Sequence, residues 1–199
     1  MQRNDLYHQL LSASNAAYMR HEELRNFADF PTNLKQQAMV PIDRPASRLL
    51  QEDKDLKSAA FADLQSAIIA AAPVMRWRAI YDSKTHDTRF MDKLGCYSII
   101  GKGGPFASNC LRLFIVYMPA DLYYPWHIHP AEEIYMVISG SAIFKRGGAD
   151  DEFLSEAQSM FHESNQPHAI ETTDTPMLSL IAWRNHLETP PSLINPDEM

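Results

Sequence analysis

Apolar residues in the first third of the chain recur at helical spacing. Leu6, Leu10, Ala13, Ala17, Leu24 and Ala28 fall three, four or seven residues apart with mostly polar residues between them, which predicts an amphipathic helix over 5–28. Leu56, Ala60, Leu64, Ile68 and Ile69 mark a second such face and predict a helix over 51–71, ended by Pro73. Between the two, Pro31, Pro41 and Pro45 break any long helix and leave a loop with a short helix around 33–39. Beyond Pro73 the period changes. All seven glycines come from Gly95 onward, and β-branched and aromatic residues gather in short runs at 96–100, 111–118, 133–138, 141–145, 157–161 and 177–183. Gly147-Gly148 reads as a hairpin turn. Short strands separated by turns and not by helices indicate an antiparallel sandwich or barrel. The expected fold is therefore mainly β, with an N-terminal helical region over 1–75 and a barrel over 76–199.

Composition changes this picture little. A chain of 199 residues with 45% hydrophobic and 22% charged residues has the size and make-up of one soluble domain with its own core. Charge is more informative: 18 Lys and Arg against 25 Asp and Glu give a net charge of −7, so no broad basic surface exists for nucleic acid. The chain starts Met1-Gln2-Arg3-Asn4-Asp5 without the apolar run of a signal peptide, and no apolar stretch reaches the roughly 18–20 residues of a membrane span. A cytoplasmic protein without nucleic-acid or membrane partners is expected. Cys96 and Cys110, with no CxxC spacing, provide neither a disulfide framework nor a thiolate metal site and read as buried thiols.

The candidate chemistry lies in Tyr123-Tyr124-Pro125-Trp126-His127-Ile128-His129-Pro130-Ala131-Glu132-Glu133-Ile134-Tyr135. In an extended strand residues two apart share a face, so His127 and His129 point together, as do Glu133 and Tyr135 after the turn at Pro130. His168, 39 residues after His129, can close the set from a different strand. Imidazole and carboxylate without thiolate suit one first-row divalent ion, Fe(II), Mn(II), Ni(II) or Zn(II), with a coordination position left open. Tyr124 stands three residues before His127 and faces the other way in a regular strand; it joins the site only if Pro125 accompanies a bulge. His8, His21 and His86 read as solvent-facing, and His162 and His186 as unassigned neighbours. Lys102-Gly103-Gly104-Pro105 reads as a connecting turn and Asp150-Asp151-Glu152 as a solvated loop.

His127-x-His129-x-x-x-Glu133 followed by Gly140 resembles the first motif of the cupins, metal-binding double-stranded β-helix barrels, and Pro167-His168 stands where their second motif supplies its histidine. The chain departs from the pattern at turns: Asp121 replaces a leading Gly, Glu163 and Asn165 replace a Pro and a Gly, and Thr172 replaces an Asn. With the helical N-terminus, the Tyr135 that follows Glu133, and Tyr124 and Trp183, the chain is similar more narrowly to the cupin-type dimethylsulfoniopropionate lyases of the DddQ kind. That resemblance implies a carbon-sulfur lyase that forms dimethyl sulfide and acrylate by β-elimination. It implies His127, His129, Glu133, His168 and Tyr135 as ligands of an Fe(II), Zn(II) or Mn(II) ion, Tyr135 or Tyr124 as the base, and Tyr124 and Trp183 against the sulfonium group. Tyr123, Trp126 and Phe161 are further candidates for that wall, whereas Trp77, Trp126 and Phe114 suit plain core packing. Another cupin enzyme, a dioxygenase or isomerase, would use the same ligands, as would a non-catalytic binding cupin. The N-terminal helices are open to use as a cap, a lid or the contact of a homodimer.

Overall fold

The computed structural model describes residues 2–81 and 89–195; the reading of His86 lies outside them. The helices come first, as α1 (Arg3–Arg20), α2 (Glu22–Phe27), α3 (Pro45–Glu52) and α4 (Ala62–Ala71), with a short strand β1 (Lys35–Gln36) between α2 and α3. The strands that follow are β2 (Gly95–Ile100), β3 (Phe106–Ala107), β4 (Arg112–Met118), β5 (Tyr123–Ile128), β6 (Glu132–Arg146), β7 (Glu152–Ser155), β8 (Ser159–His162), β9 (His168–Glu171), β10 (Met177–Arg184) and β11 (Ser192–Leu193). They form a double-stranded β-helix, mostly antiparallel, in which β1, β3, β2, β4, β10, the start of β6 and β8 make one sheet and β7, the end of β6, β9, β5 and β11 make the other.

The alternation in β4 explains how both faces of the first sheet are used. Leu113, Ile115 and Tyr117 face the helices, where they pack with Leu10, Tyr18, Leu64 and Ile68. Phe114, Val116 and Met118 face the barrel interior with Val137, Phe144, Ile170 and Ile181. With both faces covered, every residue of β4 is buried. The helices thus pack on the outer face of this sheet and the barrel interior on its inner face. None of the described helices is long and apolar enough to cross a membrane.

Several expected elements are corrected. The helix expected over 5–28 is broken at His21, whose extended backbone (φ −93°, ψ 117°) ends α1 and lets α2 turn Leu24 and Phe27 into the core. The helix expected over 51–71 is two helices. The segment between α3 and α4 is held out of helix by a distant group, the Glu156 carboxylate, which accepts hydrogen bonds from the Ser58 hydroxyl and, at 2.7 Å, from the Ala60 N–H. The helix expected around 33–39 is β1, paired antiparallel with β3. The strands expected at 133–138 and 141–145 are one strand bent at Gly140. There φ is +76° and a Cβ would stand 1.7 Å from the Pro176 carbonyl oxygen, so the bend admits only glycine. Cys96 is buried as expected, but Cys110 is exposed, in the loop before β4. Glu152 begins β7 and is not loop, and its carboxylate pairs with Arg146 across the hairpin.

Candidate metal centre

Cross-strand register builds the site. On the first sheet Arg112 of β4 opposes Trp183 of β10, Trp183 opposes Glu133 of β6, and Glu133 opposes His162 of β8, so one lateral row carries guanidinium, indole, carboxylate and imidazole. Opposed residues in a sheet project from the same face. On the facing sheet His127 of β5 opposes His168 of β9, and His129 follows just beyond β5. The Nε2 atoms of His129 and His168 each lie 3.2 Å from Glu133 Oε2. Ligand atoms of His127, His129 and His168 all fall within 4.8 Å of one another, and these residues and Glu133 are buried.

Each of the three histidines has its other ring nitrogen tied to a backbone carbonyl: His127 Nδ1 to Pro125 O at 2.8 Å, His129 Nδ1 to Ala131 O at 2.9 Å and His168 Nδ1 to Gln166 O at 2.8 Å. A carbonyl can only accept, so every Nδ1 carries the proton and every Nε2 presents a lone pair to the centre. Lone pairs aimed at a carboxylate oxygen 3.2 Å away repel unless a cation lies among them. Without a metal that cation is a proton: burial alone would lower His129, but the Glu133 carboxylate outweighs it and raises the group above its ordinary value. Burial would likewise raise Glu133, and His129 and His168 instead hold it well below the usual carboxylate range. A divalent ion satisfies the same donors, so the residues present fit one. His127 is driven the other way, lowered by burial and by the His168 charge, which keeps its Nε2 available as a ligand.

His162 was not assigned from the sequence. It is wholly buried, stacks on His168 with ring centroids 4.1 Å apart, and points Nδ1 at Glu133 Oε2 from 3.6 Å. It shares with Glu133 and His168 a second set of convergent ligand atoms. Alternation in β8 could have placed it inward, but only its register opposite Glu133 brings it to the cluster.

Tyr124 enters the site by the route its position required. The pairing of β5 with β9 shifts register between Tyr124 and His127, and across this irregularity the phenol ring stacks on the His127 imidazole at 4.1 Å. Its hydroxyl shares a hydrogen bond of 2.9 Å with that of Tyr81, a residue 43 positions away that carries no motif. Tyr135 is on the inward face of β6 beside Glu133, and among the described residues its hydroxyl has no hydrogen-bond partner. Burial raises both phenols well above their ordinary pKa; neighbouring Tyr81 adds to this at Tyr124, and the Glu133 charge adds to it at Tyr135. Trp183 lies 4.3 Å from the His129 ring and donates its indole N–H to Glu133 Oε1, so it fixes the carboxylate as well as forming a wall.

Tyr124, His127, His129, Glu133, Tyr135 and Trp183 line a cavity of about 240 Å³ together with Arg78, Cys96, Arg112, Phe114 and Val116. Pockets for drug-sized ligands run about 300–1,000 Å³, so this one suits a small metabolite. Phe114, expected in plain core packing, is part of the wall, while Trp77 is buried under α3 and α4 as expected. Tyr123, Trp126 and Phe161 do not line the cavity: Tyr123 is 41% exposed, Trp126 is half-buried, and Phe161 packs on Phe27 of α2. His8 and His186 are exposed; His21, expected in solvent, is half-buried with Nε2 3.0 Å from the Ala157 carbonyl.

The departures from the cupin turns keep the backbone shape. Asp121 and Asn165, both standing in for glycine, adopt φ of 55° and 58°, which Asp and Asn tolerate better than other side chains. Thr172 Oγ1 accepts the Leu122 N–H at 3.0 Å and donates to the Pro119 carbonyl at 2.6 Å, holding the turn that leads into β5.

The family model described as dimethylsulfoniopropionate lyase matches residues 18–179. The chain is 41% identical over 196 residues to the dimethylsulfoniopropionate lyase DddQ of Ruegeria pomeroyi DSS-3, covering 98% of each sequence. It superposes on the crystal structure of that DddQ with a TM-score of 0.94, covering 97% of this chain and 98% of the other. A crystal structure from work on the dimethylsulfoniopropionate lyases RdDddP and RnDddQII matches with a TM-score of 0.91 at 31% identity, over 98% of this chain and all of the other.

Proposed function

From the premise that this chain belongs to the dimethylsulfoniopropionate lyase family, we propose that it is a metal-dependent carbon-sulfur lyase that converts dimethylsulfoniopropionate to dimethyl sulfide and acrylate. The observation that carries this reading is the convergence of three Nδ1-anchored histidines and Glu133 from two facing sheets, three of these four groups, His127, His129 and Glu133, lining a small cavity that also presents two phenols and an indole.

The residues we assign to hold the ion are His127, His129, His168 and Glu133, with Tyr135 as a further ligand; nitrogen and oxygen donors without thiolate suit Fe(II), Zn(II) or Mn(II). When bound, such an ion supplies Lewis-acid stabilisation of charge developing on the substrate carboxylate and favours phenolate nearby. The remaining chemistry belongs to the chain. A phenolate oxygen, Tyr135 by preference because no described group holds its hydroxyl, takes the proton from the carbon next to the carboxylate. The electron pair forms the carbon-carbon double bond, and the β-carbon–sulfur bond breaks with its pair leaving on sulfur as neutral dimethyl sulfide. Tyr124, tied to Tyr81, is the alternative base. The faces of Tyr124 and Trp183 attract the sulfonium by about 0.5–2 kcal/mol each, and Trp183 also keeps Glu133 in place.

Purified protein supplied with dimethylsulfoniopropionate should release dimethyl sulfide and acrylate in equal amounts. Tyr135→Phe should lower kcat by about 10²–10⁴ with little change in melting temperature. An unchanged rate in that variant moves the base to Tyr124, and no release by the folded, metal-loaded wild type rejects the reaction.

A further inference from the structure

His162 stands at the ligand cluster without a part in the metal binding or the proton transfer assigned above. It comes from β8, where it opposes Glu133 of β6, while Trp183 of β10 opposes Glu133 from the other side. Register therefore sets an indole and an imidazole on the two flanks of one carboxylate. The indole N–H is donated to Oε1, and His162 Nδ1 faces Oε2 from 3.6 Å. Other rings enclose the imidazole: it stacks on His168 with centroids 4.1 Å apart, and Tyr135 meets it edge-on at 5.7 Å. His162 is wholly buried behind the cavity, whose described lining includes Glu133 and Tyr135 but not His162 itself.

Such a position is unfavourable unless something offsets it. Among the described residues neither ring nitrogen of His162 has a hydrogen-bond partner, and both are shut off from water. A neutral imidazole carries one N–H, and a donor buried without an acceptor loses its hydration with nothing in return. Of the two nitrogens, Nδ1 has an acceptor in front of it, Glu133 Oε2, at 3.6 Å and so just beyond hydrogen-bond range. The Nε2 atoms of His129 and His168 face that same oxygen at 3.2 Å, so Oε2 is the one that meets an ion. An N–H held to a ligating carboxylate fixes the direction in which it presents its oxygen. Trp183 alone leaves the carboxylate free to pivot about one bond; donors on both flanks do not.

We propose that His162 is a positioning residue: in the metal-bound protein its Nδ1–H is donated to Glu133 Oε2 and, with Trp183 on Oε1, holds the carboxylate in the orientation that the ion requires. This deepens the reading of a metal-dependent site and rests on it. Register alone builds the device, because β10 and β8 flank β6 and each contributes one N–H donor to the residue between them. The stack on His168 acts in the same direction, since it keeps the plane of a second ligand ring against the first donor. His162 stays out of the cavity and touches no substrate. Its effect falls first on metal affinity and ligand geometry, and on turnover only through them.

The test reads the metal site without turnover. Full-length wild type, His162→Asn and His162→Phe are compared after circular dichroism has established that each is folded. Zn(II) affinity is measured by competition with a chelating dye, and visible absorption of the Co(II)-loaded proteins reports ligand geometry. Asn keeps an N–H where Nδ1 stands, two bonds from Cβ, whereas Phe keeps the ring and its stack but has no donor. His162→Phe should bind Zn(II) about tenfold or more weakly and shift the Co(II) bands, and His162→Asn should restore most of both. Wild-type affinity and bands in His162→Phe overturn the proposal. Equal losses in the two variants also overturn it, because the ring and not the donor would then be what matters. A measurement on wild type covers a variant that does not fold: in the Zn(II)-loaded protein, nitrogen NMR shifts of the His162 ring should place its proton on Nδ1, and a proton on Nε2 instead overturns the proposal. The lyase reading fails separately, where wild type meets these expectations yet releases no dimethyl sulfide; the role of His162 then stands.

Discussion

At the scale of single residues, the site is organised by which nitrogen of each histidine carries the proton. Three backbone carbonyls fix Nδ1–H on His127, His129 and His168, and only Nε2 is left to face Glu133. His129→Ala or Glu133→Ala should therefore lower bound metal and activity together, measured as metal stoichiometry by elemental analysis beside turnover; full metal content in both variants would remove them from the ligand set. The same geometry sets a pH dependence. The pKa of His129 is raised, so its proton is present at and somewhat above the ordinary imidazole value and must leave when an ion binds. Metal affinity should fall as pH is lowered from about 8 to about 6, with more protons released on binding at the lower pH. Equal affinity at both ends would mean that His129 is already neutral in the metal-free protein.

At the scale of elements, the turns and strands decide which of these residues meet. The period-two pattern and the His-x-His-x-x-x-Glu spacing made the barrel and the convergence of His127, His129, Glu133 and Tyr135 legible in the sequence. The entry of Tyr124 was legible only as a condition, a bulge at Pro125, and the shifted register between Tyr124 and His127 meets it. What could not be read depended on partners far along the chain. Glu156 opens the expected helix over 51–71, β3 recruits 35–36 as a strand, and His162 gains its place from register opposite Glu133. Tyr81 carries no spacing signal, because what makes it notable is the Tyr124 hydroxyl contributed by β5. Gly140 gives the element scale its test. Gly140→Ala places a Cβ against the Pro176 carbonyl at a positive φ, where β6 crosses between sheets. It should destabilise by roughly 2 kcal/mol or more, read as a lower denaturant midpoint; an unchanged midpoint would show that the bend can relax elsewhere.

At the scale of the whole molecule, the protein has two cores separated by one sheet. The outer core joins the helices to Tyr97, Ile115 and Leu180, and the inner core surrounds the cavity with Phe114, Val116 and Ile181. The helices leave the described cavity lining to the barrel and the segments that flank its strands. The lateral row Arg112–Trp183–Glu133–His162 crosses the inner wall, with His127 and His168 on the sheet opposite. The most direct test of this account is headspace dimethyl sulfide from purified protein given dimethylsulfoniopropionate, after stripping of metal and separate resupply of Fe(II), Mn(II), Ni(II) and Zn(II). The account predicts negligible release from the stripped protein and recovery with at least one ion. Undiminished release from folded protein shown to be metal-free would contradict it.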